Sequence, residues 1–176
     1  MRFASYATIA LSFVGAAIAL PAVKRVSEGD LEAALNNLAV QISVSETILV
    51  GDPSGDLLNP SDLYNRLVDG GSLADAATAD AKALPTLSEA DGQVILVKMQ
   101  NAVPHLENFL QMLADDKNKF VVESLILGGL QTFKTSLTTL GNSLVAIAPP
   151  NLEGDAAMLF REVTSDLAKA IKVYSS

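Results

Sequence analysis

The chain has 176 residues, with twenty acidic side chains against twelve basic ones, one histidine and a formal charge of −8. That length fits one domain with a sizeable core. The few basic residues are too scattered to grip phosphate backbones or an anionic bilayer, so nucleic acid is excluded as a partner. Cysteine is absent, which excludes thiol catalysis, Cys-built zinc sites and disulfide staples.

Residues 1–25, "MRFASYATIALSFVGAAIALPAVKR", read as a leader and not as part of the fold. Arg2 is a short basic start, Ile9 to Ala16 an apolar stretch, and Ala17-Ile18-Ala19 has the small-x-small form of a signal-peptidase site, with Ala19 as its last residue. A transmembrane anchor needs about 20 apolar residues, which this run does not reach before Pro21. Lys24-Arg25 has the form of a dibasic processing site ending at Arg25, or else of two basic residues in an exposed linker. The folded domain is expected over 26–176. Removing residues 1–25 leaves nine basic against twenty acidic residues, a formal charge of −11. The ending "LAKAIKVYSS" has no hydrophobic tail of the kind that precedes a glycolipid anchor, so the expected product is secreted and released.

Ala and Leu are plentiful and aromatics few, which favours helix over strand. Helix one is predicted from Ser27, capped reciprocally with Asp30, to just before Gly51, with Leu31, Leu35, Leu38, Ile42 and Leu49 on one face. "GDPSGDLLNPSD" (51–62) is turn-rich, and Pro60 suits the first turn of helix two with Asn59 as its cap. Leu63, Leu67, Gly70, Ala74, Ala77, Ala81 and Leu84 keep helical phase across Gly70-Gly71, so one helix is predicted, bent there and ended by Pro85.

Ser88 caps helix three, with Glu89 and Asp91 in its first turn. Ile95, Met99, Ala102, Leu106, Phe109 and Leu113 follow at helical spacing, and Pro104 predicts a kink. "ADDKNK" is the next turn. Helix four begins with "FVVESLILGGLQTF" (120–133). Ile126, Leu130, Phe133, Leu137, Leu140 and Leu144 form its seam, while Val121, Val122, Leu125 and Leu127 make its first half apolar on other sides too. Such a helix belongs in the middle of a bundle. Pro149-Pro150 stop it, and helix five starts near Asn151 and carries Ala156, Leu159, Val163, Leu167, Ile171 and Tyr174. The fold class is therefore all-α: an antiparallel bundle of about five helices, three of them long, with helix four central.

"LSEADGQVILVKMQNAVPHLENFLQMLADDKNKF", the leucine seam, and "APPNLEGDAAMLFREVTSDLAKAIKVY" together resemble the fungal hydrophobic surface-binding protein A family, which includes cell wall galactomannoproteins. The marks are Ser88-Glu89-Ala90-Asp91, Pro104, the Lys117-x-Lys119-Phe120 turn, Ala148-Pro149 and the Ala170-Ile171-x-x-Tyr174 ending. The resemblance spans about Val26 to Tyr174. It implies a secreted protein that adsorbs to hydrophobic surfaces or sits in the wall, with some relatives holding a fatty acid inside the bundle. The chain departs from wall-anchored members in having no Ser/Thr-rich stalk.

No residue pattern asks for catalysis or a cofactor. His105 has no cysteine or second histidine to share a metal, so no metal site is expected. Asp115-Asp116 and Glu89-Asp91 sit at turns and helix starts, where capping explains them. A non-enzyme is expected, with a secreted hydrolase and a ligand-free structural wall protein as the alternatives.

Two binding readings stand. In the first, a fatty acid or other lipid lies among the helices. The lining would come from Ala74, Ala77 and Ala81 of helix two, and from Leu106, Phe109, Leu110 and Leu113 of helix three. Helix four would add Leu125, Gly128, Gly129, Phe133 and Leu137, and helix five Phe160 and Leu167. Gly128 and Gly129, facing the alanine stripe of helix two, would supply room, or these small residues would simply permit tight helix crossing. In the second reading, the bundle lies on a hydrophobic surface such as wax or polyester, or in the wall polysaccharide layer.

Overall fold

The computed structural model describes residues 26–51, 59–120 and 122–176. The leader, with Ala19 and Arg25, lies outside the described residues. Five α-helices follow one another: α1 (Glu28–Gly51), α2 (Pro60–Ala83), α3 (Glu89–Asp115), α4 (Glu123–Ile147) and α5 (Glu153–Tyr174). All five are long, 22 to 27 residues, where the sequence suggested three.

Local chemistry sets most of the ends. Ser27 and Asp30 cap α1 reciprocally: the Ser27 amide donates to Asp30 Oδ2 at 2.9 Å and the Asp30 amide to Ser27 Oγ at 3.3 Å. Asn59 Oδ1 accepts the Ser61 amide at 3.0 Å with Pro60 in the first turn of α2. Ser88 Oγ accepts the Asp91 amide at 3.2 Å and opens α3. Two starts come later than expected. The turn before α4 contains a short 3-10 helix, Lys117–Lys119, and Phe120 is extended and buried, so α4 begins at Glu123 and not at residue 120. Before α5, the Leu152 and Glu153 amides both bond to the Pro149 carbonyl, a turn that delays the helix to Glu153. Pro104 lies inside α3 on its exposed side, where water can take the carbonyl its ring leaves unbonded.

The packed pairs are α1 with α2, α2 with α4, α4 with α5, α5 with α3, and α3 with α1, so the five helices close a ring. Helix α4 takes the most extensive contacts, against α2 on one side and α5 on the other. Its first half is not covered all round: Leu125, Leu127 and Gly128 are half-buried and Val122 is exposed. Direction alternates along the chain, but neighbours in space do not all alternate. Tyr64 and Leu67 lie against Gly129, and Gly70 and Gly71 against Phe133 and Ser136, so α2 and α4 run parallel. Helices α3 and α5 also run parallel, with Leu113 beside Tyr174. The reason is that the α2–α3 turn crosses one end of the ring, where the Leu87 amide donates to the Ile147 carbonyl of α4 at 2.8 Å.

One continuous core fills the ring. Leu31, Leu35, Leu63, Leu113, Leu130 and Leu167 are among its fully buried members. Buried Ser45, Thr78 and Ser143 satisfy their hydroxyls on the carbonyl four residues back, at 2.8 to 3.0 Å. Among the described helices, α1 is long and apolar enough by composition to cross a membrane, yet its Leu31, Leu35, Leu38, Ile42 and Leu49 point into this core.

Candidate functional site

At the end of the ring where α3 and α5 begin and α4 stops, the core contains a pocket lined by apolar side chains alone. Helix α3 contributes Gly92, Ile95, Leu96 and Met99. Leu144 and Ala148 come from the end of α4, and Leu152, Ala156, Leu159 and Phe160 from the start of α5, with Leu87 closing it from the α2–α3 turn. No lining side chain carries a nitrogen or oxygen. The free space is only ≈ 20 Å³, whereas small-ligand sites run to roughly 300–1,000 Å³. A bound chain would therefore have to spread the helices around it.

Two glycines let the walls close so tightly. A Cβ on Gly92 would stand 2.7 Å from the Pro149 ring, and one on Gly141 would stand 2.5 Å from Phe160 Cγ. Any larger residue at either place would push Pro149 or Phe160 away. Above the pocket, Asn151 Nδ2 donates to Glu89 Oε1 at 2.7 Å, tying the α4–α5 turn to the start of α3.

The residues singled out in the sequence are distributed differently. Phe160 lines this pocket. Ala74, Ala77, Ala81, Leu106, Phe109, Leu113, Phe133, Leu137 and Leu167 are buried elsewhere in the same core. Leu110 is buried along the α3–α5 contact and lines an open groove of ≈ 550 Å³, mixed in character, that also carries Glu107, Gln111, Asp166 and Lys169. Leu125 and Gly128 are half-buried. Gly129 does not face the alanine stripe: a Cβ there would meet Leu67 Cδ1 at 2.9 Å and Tyr64 Cδ2 at 3.3 Å. The small residues at Gly70, Gly71 and Gly129 thus serve the close α2–α4 crossing, one of the two roles open to them. The sequence did place Ile95, Met99, Ala156 and Leu159 on apolar stripes. What it lacked was any sign that α3 and the end of α4 meet across the ring.

His105 has a structural partner. Its Nδ1–H donates to Glu46 Oε2 at 2.5 Å, and Asn108 Nδ2 donates to Glu46 Oε1 at 2.9 Å, joining α1 to α3. Burial pushes the Glu46 carboxyl up, but the hydrogen bonds from His105 and Asn108 and the charge of His105 together hold it below its ordinary value. Among the described residues no group of three His, Asp or Glu side chains is placed to hold a metal ion.

The ring and its pocket define a class: a closed five-helix bundle with an apolar space at one end. Solved structures of the same fold exist. AfMP4p in complex with palmitic acid superposes with a TM-score of 0.77 at 23% identity, covering 84% of this chain and 99% of that one. Ligand binding domain 1 of the Penicillium marneffei MP1 protein, complexed with arachidonic acids, gives 0.78 at 14% identity, covering 85% of this chain and 100% of that domain. Domain 2 of the same protein, complexed with multiple arachidonic acids, gives 0.66 at 15% identity, over 85% and 92%. At these identities the likeness shows the fold. No family model matches the chain, and comparison with curated proteins finds no match.

Proposed function

We propose that this chain is a secreted, non-catalytic carrier that holds a lipid chain inside the helical ring, and that it is a relative of the fungal hydrophobic surface-binding protein A family. The observation that carries the reading is the pocket of apolar side chains between α3, α4 and α5, in a fold whose solved structures include complexes with palmitic and arachidonic acids. The α3–α5 contact is the least extensive in the ring, which makes it the side most easily spread. The pocket's apolar shell is the surface an acyl chain would bury, at about 0.8 kcal/mol per CH₂.

Native mass spectrometry of protein taken from the culture medium tests this. The expected result is a co-purifying lipid of one acyl chain. Bare protein that also leaves a fluorescent acyl probe unbound in titration overturns the carrier reading. Export is tested by N-terminal sequencing of the same sample, which should begin near Leu20 or Val26. A chain still beginning at Met1 overturns that part.

One observation favours a second reading, adsorption to hydrophobic surfaces such as wax or polyester. Helix α1 turns its leucines inward, yet Val40 and Val50 remain 53% and 61% exposed on it, with Val94 and Val97 exposed on the neighbouring α3. Single exposed apolar residues are ordinary on protein surfaces, but several on two packed helices give an apolar solid something to hold.

A further inference from the structure

The apolar pocket and the charges above it bear on the head group of its ligand. Two turns with the first helical turns that follow them, residues 84–91 and 148–155, close that end of the ring. They contain Glu89, Asp91, Glu153 and Asp155 and no basic residue. Asp91 directly precedes Gly92 and Glu89 lies three residues before it, while Glu153 and Asp155 stand between Leu152 and Ala156, and Gly92, Leu152 and Ala156 line the pocket. Glu89, Glu153 and Asp155 are exposed.

From this arrangement, and resting on the carrier reading, we infer that the pocket takes a lipid with an uncharged head, such as an ester, alcohol or hydrocarbon, in preference to the free fatty acid. Either orientation of a free acid is penalised. Head inward, the carboxylate enters a space with no side-chain donor, and an unpaired charge in such surroundings is strongly disfavoured. Tail inward, it stops beside two turns that carry four carboxylates and no basic residue.

The starts of α3 and α5 do not reverse this. Each helix N-terminus is worth only about half a positive charge, and each already carries two carboxylates. The α3 start is also occupied: Ser88 Oγ takes the Asp91 amide at 3.2 Å and donates to Asp91 Oδ2 at 2.5 Å. A neutral head meets neither penalty and keeps the whole gain from burying its chain.

The test is displacement of the uncharged dye Nile red by decanol, methyl decanoate and decanoate at neutral pH and low salt, using the mature protein. Decanol and the methyl ester should displace the dye at concentrations about tenfold lower than decanoate, the size expected for several surface charges acting through water. In about 1 M salt the gap should narrow in the unmodified protein, because the charges on those turns are then screened. In the double variant Glu153→Gln, Asp155→Asn it should narrow at low salt, with decanol affinity unchanged. Decanoate that competes as well as decanol, or a gap indifferent to both salt and the double variant, overturns the inference while leaving the carrier reading intact. Failure of the dye and all three compounds to bind overturns both.

Discussion

The Tyr174 hydroxyl donates to the Leu113 carbonyl at 2.7 Å, joining the last residue of α5 to the last turn of α3 at a buried position. Lys117 Nζ donates to the neighbouring Val173 carbonyl at 2.7 Å, so two bonds hold the end of the ring opposite the apolar pocket. Since α3 and α5 also wall that pocket, this tie and the Asn151–Glu89 bond fix the pair at both ends.

Tyr174→Phe removes the bond and should lower stability by about 0.5–1.5 kcal/mol. Burial first, and then the charges of Asp116 and Glu123, push the Tyr174 hydroxyl far above its ordinary 10.0. An acid whose pKa is raised on folding stabilises the fold below its unfolded pKa and loses that contribution as pH rises past it. Melting temperatures measured between about pH 8 and 11 should therefore fall more steeply in the parent than in Tyr174→Phe. Parallel curves would remove Tyr174 as the cause.

At Glu46 the sign is opposite. Its carboxyl is held below the ordinary 4.5, so its contribution is present above that value and is lost as pH falls through the lowered one. Melting between about pH 5 and 3 should show a smaller loss for Glu46→Gln than for the parent. Equal losses would mean that the His105 and Asn108 bonds add nothing to the acid limb.

Gly128 and Gly129 should respond in opposite directions. A Cβ on Gly128 meets nothing within 4 Å, so Gly128→Ala should gain up to about 1 kcal/mol from helix propensity. A Cβ on Gly129 would stand 3.1 Å from Leu67 Cβ, so Gly129→Leu should overpack the α2–α4 crossing and lose about 1–3 kcal/mol. Urea midpoints on the two variants decide this. A Gly129→Leu protein as stable as the parent would mean that α2 and α4 separate more easily than their contact suggests.

Adsorption to an alkyl resin or polyester, if it is hydrophobic, should persist from low to molar salt, because an acidic protein gains nothing from charge on a neutral surface. The double variant Val40→Ser, Val50→Ser should weaken adsorption and leave Nile red binding intact. Release of the parent protein by rising salt would identify an electrostatic attachment instead.

The sequence by itself determined the helical class and nearly every helix boundary. Ser27, Asn59 and Ser88 act as caps through bonds to amides two or three residues away, and Pro85 and Pro149 act through their own rings. Such signals are complete within a few residues of chain. The same holds for the inward stripes, because helical period alone sorts Leu31 from Asn36 and Ile126 from Lys134. Which stripe meets which was decided only in the tertiary structure. The 84–88 turn is short enough to suggest that α2 and α3 lie side by side, yet it crosses the ring and bonds to the end of α4. The pocket between Gly92, Leu144 and Phe160 follows from that crossing. Its walls lie far apart in sequence and are brought together by the mutual fit of five apolar faces, a global quantity that no local pattern of residues encodes.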